Sequence, residues 1–164
     1  MDNEIEKLIT DLTCDEYISC QQARRKLVEL GSGAVPRLVK ELSNNKYQVR
    51  WEVTKALGQI ADKSAAEALV NALEDAEFDV RWLAAEALIK IGQDALEPLL
   101  LALADHGNRS IPLRHGAHHI LHDMELGTLR MSLLPVMKAV EDSEPYSEIL
   151  VVARRALDDL KQQR

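Results

Sequence analysis

Four histidines, His115, His118, His119 and His122, fall in one short stretch, LRHGAHHILHDM (Leu113–Met124). At 100° per residue they share one side of a helix, opposite Leu113, Ala117, Ile120, Leu121 and Met124. His115 with His119 and His118 with His122 are i,i+4 pairs, a spacing that lets two imidazoles meet on zinc, nickel or copper. Glu86 or Asp123 could add an oxygen donor. No cysteine lies among them, and a surface patch of this kind is read as a contact surface for a partner, so no metal is assigned. Other chemistry finds no footing. There is no glycine-rich phosphate loop, no G-x-S-x-G and no H-E-x-x-H. Cys14 and Cys20 match neither a disulfide framework nor zinc-ligand spacing. No catalytic residue and no cofactor is expected.

The elements that carry these histidines repeat. VRWLAAEALIKI (Val80–Ile91) has a near copy in VRWEVTKALGQI (Val49–Ile60) and a looser one in the histidine stretch, with Arg50, Arg81 and Arg114 at one place in each. The arginines are 31 and then 33 residues apart, and a period of about 20 to 50 residues marks an array of stacked units. Apolar spacing predicts helices over about 3–12, 16–30 and 34–42, then two units over about 47–74 and 78–105. A fourth unit covers about 112–141 and a last helix runs over about 146–162. The turns fall at Thr13–Asp15, Gly31, Ser43–Asn45, Ala61–Ser64, Gly92–Asp94, His106–Ile111, Leu126–Thr128 and Asp142–Pro145. That gives about ten helices, four pairs with one capping helix at each end, in a single all-α domain over 1–164.

The motif V-R-x-x-A-x-x-A-L-x-x-I, followed by a Gly or Asp turn and a helix such as ALEPLLLALAD, resembles the HEAT-like repeats of the phycobilin-lyase type. The resemblance is strongest in units two and three and implies a right-handed α-solenoid. It says little about function, because such arrays serve as adaptors, lyase subunits, DNA-binding scaffolds and iron oxygenases. Deoxyhypusine hydroxylases share this repeat and hold two irons through His-Glu dipeptides after the repeat arginine. Here that slot reads Trp51-Glu52, Trp82-Leu83 and His115-Gly116, so their iron site is absent. In the resembled repeats the arginine itself ties units together, with Asp79 or a neighbour as acceptor.

The four histidine positions can be read in every unit: Gln21, Arg24, Arg25, Val28; Trp51, Thr54, Lys55, Gly58; Trp82, Ala85, Glu86, Ile89; and Val151, Arg154, Arg155, Asp158. Stacked, they form one stripe, which the resemblance places in a concave groove. It holds five Arg or Lys against two acids, while the whole chain carries −7. Two tryptophans at one repeat position, flanked by charge, suggest a binding hot spot. The expected site is Arg25, Trp51, Lys55, Trp82, Glu86, His115, His118, His119, His122 and Arg155, in a non-enzymatic scaffold that binds a protein segment or an anionic ligand. The bland alternative is that both indoles fill gaps between helices. A metal-binding or lyase-type subunit using the His115–His122 cluster is the runner-up. Nucleic acid ranks last because of the acidic balance. The start of the chain, MDNEIEKLITDL, is acidic and amphipathic rather than a leader, and no run reaches the roughly 18 to 20 apolar residues of a membrane span. A cytoplasmic setting is expected.

Overall fold

The computed structural model describes residues 2–13, 17–141 and 147–162. Cys14, Asp15 and the expected link at Asp142–Pro145, with Tyr146, lie outside them. Ten α-helices are present among the described residues: α1 (Asp2–Asp11), α2 (Tyr17–Glu29), α3 (Val35–Glu41), α4 (Tyr47–Ile60), α5 (Ala66–Ala72), α6 (Phe78–Ile91), α7 (Leu96–His106), α8 (Ile111–Asp123), α9 (Arg130–Glu141) and α10 (Ser147–Gln162). Short 3-10 turns at Gly31–Gly33, Lys63–Ala65, Gly92–Ala95 and Gly127–Leu129 lead into α3, α5, α7 and α9. The described residues contain no strand, and none of their helices is long and apolar enough to cross a membrane.

The repeat fixes where the long helices stop. Gly31, Gly92 and Gly127 take a positive φ in the turns after α2, α6 and α8, and Ala61 does so after α4 at φ 53°. Glycine reaches that region without the crowding that a Cβ introduces, so Ala61 is the one strained version of a recurrent stop.

The repeat also fixes where the helices start. Asn44 and Asp75 accept the N–H groups of Lys46 and Glu77 in the turns before α4 and α6, a local bond that favours such turns. Arg50 and Arg81 then reach back to the carbonyls of Asn44 and Asp75, at 2.9 and 2.7 Å. Arg114 does the same to Gly107 at 3.0 Å. Arg50 adds a two-pronged bond to the Asp75 carboxylate, at 2.7 and 3.0 Å, that joins one unit to the next. The acceptor is therefore Asp75. Of the acceptors expected, Asp79 or a neighbour, Asp79 itself accepts from the Tyr47 hydroxyl at 3.1 Å.

Helices α2, α4, α6 and α8 pack side by side in succession, and α5, α7 and α10 form the layer behind them. The core between the layers is almost wholly Leu, Ala, Val and Ile, with Leu57, Leu69, Leu88, Leu99 and Leu113 fully buried. Small residues set the spacing. A Cβ built on Gly58 would lie 3.0 Å from the Ala87 Cβ, and one on Gly116 would lie 2.9 Å from a Leu73 methyl. Such contacts let neighbouring helices approach at close range.

The C-terminal end departs from the regular pattern. Helix α10 packs against α7 and α9, while α9 packs against α8. Val151, Arg154, Arg155 and Asp158 therefore do not extend the stripe beyond α8, and Arg154 bonds Asp105 of α7 at 3.1 Å. The amphipathic pattern ARRALDDL gives α10 one apolar face, and that face fits the back layer.

Candidate functional site

The stripe on α2, α4, α6 and α8 is not uniformly wet. Arg24, Thr54 and Ala85 occupy one repeat position and all three are buried, whereas His118 at the same position is exposed. Arg24 forms an ion pair with Glu52, whose side chain is fully buried. Thr54 donates its hydroxyl to the Arg50 carbonyl at 2.7 Å. Arg24 thus adds no free positive charge to the surface. Glu52, in the slot where the iron enzymes carry a ligand, is committed to a structural pair. The later residues at that slot also face inward: Leu83 is half-buried and Gly116 meets Leu73.

The position of Trp51, Trp82 and His115 does face outward. Trp51 is half-buried beneath Lys55, whose ammonium sits 4.4 Å from the ring centroid, a favourable cation–π placement. Trp82 is 47% exposed. It stacks on His119 with centroids 4.4 Å apart and planes 21° apart, and on Phe78 at 6.3 Å and 28°. His119 is held in place by carboxylates on both ring nitrogens, Glu86 at 2.8 Å and Asp123 at 3.0 Å. A neutral imidazole can donate to only one of these, and an imidazolium to both.

Between α6 and α8 these side chains wall a cleft of about 380 Å³, lined by Phe78, Trp82, Ala85, Ile111, Pro112 and His119 together with Arg81, His115 and Gly116. Phe78 is 63% and Ile111 56% exposed, an unusual amount of bare apolar surface in one place. Arg81 lies over the Phe78 ring at 5.7 Å and is tied by its guanidinium to the Asp75 and Ala76 carbonyls. A larger cleft of about 560 Å³ between α5 and α7 mixes apolar residues such as Val70, Pro98 and Leu101 with charged ones such as Lys63, Glu67, Asp94 and Asp105. The smaller cleft has the character of a binding pocket, an apolar floor with a few placed polar groups.

The structure brings Trp82, His115 and His119 together at this cleft, and Glu86 reaches it only through its bond to His119. It places His118 and His122 one turn further round α8, where both face Glu141 of α9, at 3.6 and 2.5 Å. Trp51 and Lys55 on α4, Arg25 on α2 and Arg155 on α10 are not among the residues that line the cleft. His106 ends α7 and pairs with Glu74 at 3.1 Å.

Phe78, Ile111 and Glu141 were not among the expected site residues. The first two had a signal. Tyr47, Phe78 and Ile111 are the first residues of α4, α6 and α8, at one repeat position, and all three are exposed. Phe78 and Ile111 also precede Trp82 and His115 by four residues. Glu141 carried no such signal, because it lies on another helix, 19 residues from His122.

An all-α solenoid of stacked, related units with an arginine-tied turn defines a helical-repeat protein. The family model for HEAT repeats matches residues 35–117, and the chain belongs to that family. No curated protein matches it. Among solved structures it is similar to the complex of CpcE and CpcF of phycocyanin lyase from Nostoc sp. PCC7120. That match has 23% identity and a TM-score of 0.58, over 93% of this chain and 99% of that one. It is also similar to a designed armadillo repeat protein in complex with the peptide (KR)4, at 23% identity and a TM-score of 0.49, over 93% and 80% of the two chains. The likeness to the lyase complex is one of fold.

Proposed function

We propose that the protein is a non-enzymatic interaction module that holds a segment of a protein partner on α6 and α8, with an aromatic or branched apolar side chain seated between Trp82 and Ile111. The observation that carries this reading is the convergence of Phe78, Trp82 and Ile111, all exposed, on one cleft. Bare aromatic surface is costly to keep in water, and a stacked, prearranged indole loses little freedom when a partner covers it. Arg81 on one side, and Glu86 and Asp123 on the other, give the cleft rims of opposite charge, which would fix the direction in which the segment lies. The anionic ligand anticipated from the stripe's charge has less support. Arg24 and Arg154 are paired, and carboxylates face His118, His119 and His122.

Selection of a random peptide library on the immobilised protein tests the reading. Enriched peptides should share an apolar anchor residue and lose affinity about thirtyfold, or roughly 2 kcal/mol, for Trp82→Ala. Peptides that bind Trp82→Ala as tightly as the wild type, or no enrichment at all, would remove the cleft as the docking site.

A further inference from the structure

The other half of the histidine patch points to a different chemistry. His118 and His122 are one turn apart on α8, with ring centroids 4.5 Å apart and planes at 32°. Glu141, the last residue of α9, places Oε1 2.5 Å from His122 Nε2 and 3.6 Å from His118 Nε2. One ligand atom from each of the three lies within 4.8 Å of the others, and all three side chains are exposed. Tetrahedral zinc with bonds of about 2.0–2.2 Å needs its ligand atoms roughly 3.3 Å apart. Small torsional changes in exposed side chains are enough to reach that spacing.

We infer that His118, His122 and Glu141 form a two-histidine, one-carboxylate site for a divalent transition metal, with zinc the best match. The ring nitrogens are borderline donors suited to zinc, copper and nickel, and the carboxylate supplies the negative charge that two neutral imidazoles lack. Three protein ligands leave a fourth position for water or for a donor on a partner. The neighbouring pair, His115 and His119, is not equivalent. The His119 ring is stacked on Trp82, and both of its nitrogens are engaged by Glu86 and Asp123. The metal would bridge α8 and α9, at the end of the array where the regular stacking gives way. Binding there would staple α8 to α9 without touching the apolar cleft.

The test uses the full chain without a polyhistidine tag, titrated with zinc at low micromolar concentration and assayed by calorimetry and elemental analysis. The site predicts one zinc per chain and a rise in Tm with zinc, since a ligand of the folded state stabilises it. His118→Ala/His122→Ala should lose both effects. Glu141→Gln should weaken binding by at least about tenfold, because an amide is a poor zinc ligand. His115→Ala should keep full stoichiometry. The variants replace exposed groups, so their circular dichroism should match the wild type. Less than stoichiometric zinc, zinc retained by the double variant, or wild-type affinity in Glu141→Gln would each overturn the site. The last result would mean simple chelation by a histidine pair.

Discussion

Adjacent positions of the repeat do opposite work at two junctions of the array. Between α2 and α4 they hold the buried Arg24–Glu52 pair. Between α6 and α8 they present Trp82 stacked on His119 over an open cleft. At the first junction the polar groups are sealed in, with Arg24 Nε and Glu52 Oε1 lacking any hydrogen-bond partner. At the second, Glu86 and Asp123 remain partly in water and orient a ring. A residue that varies between repeats is therefore not by that fact a surface residue. What decides is whether the next helix brings a partner that fills the space beside it.

The largest effect should come from the buried junction. Glu52→Ala strands the Arg24 guanidinium in the core and should cost about 3–5 kcal/mol in urea unfolding. The double change Arg24→Met/Glu52→Leu should restore most or all of that loss. A small effect from Glu52→Ala would mean that the pair is hydrated, and the contrast between the two junctions would weaken.

Next in size is the bond between Arg50 and Asp75. Burial pushes the Asp75 carboxyl up, but the Arg50 hydrogen bond, the Glu77 N–H and the charges of Arg50 and Arg81 together hold it below its ordinary value. Asp62 is also lowered, to about 2, by the Ser32 hydroxyl and then by the Ser64 N–H and hydroxyl. Groups with depressed folded pKa values contribute stability that is complete above their unfolded values near pH 4. That stability is lost as pH falls through the folded ones. Stability should therefore drop between about pH 4 and pH 2, and Asp75→Asn should lower stability at pH 7 by about 2 kcal/mol while flattening that acid limb. An unchanged acid limb would remove Asp75 from the account.

At the exposed junction, Glu86→Ala should cost under about 1 kcal/mol of stability, as partly solvated ion pairs do. It should nevertheless loosen His119, seen as broadened ring signals in NMR. The smallest effect is a gain. Ala61→Gly relieves the left-handed backbone at φ 53° and should raise stability by up to about 1 kcal/mol in thermal unfolding, offset in part by the unfolded chain's extra freedom.

Much of this was legible in the sequence. Helix limits followed from apolar spacing and from Gly31, Gly92 and Gly127, because a repeated stop needs a repeated residue. The arginine ladder was legible as structural because it did not vary. The burial of Arg24 was not, since its partner lies on the next helix and nothing in either residue's own unit announces the pair. The placement of α10 escaped for a related reason. Its apolar face fits either layer, and only the packing of α9 beside α8 decides between them. Trp82, Glu86 and His119, which the repeat spacing sets on neighbouring helices, touch one another in the structure. Phe78 and Ile111 stood at a repeat position that could have been read alongside them.

The most direct test of the contrast is the affinity of one selected peptide for two matched variants, Trp82→Ala and Trp51→Ala, by isothermal titration. A site confined to the cleft predicts about a thirtyfold rise in Kd for Trp82→Ala and a change of no more than about threefold for Trp51→Ala. Equal losses in both, or a larger loss at Trp51, would place the binding surface along the whole stripe and contradict a site confined to α6 and α8.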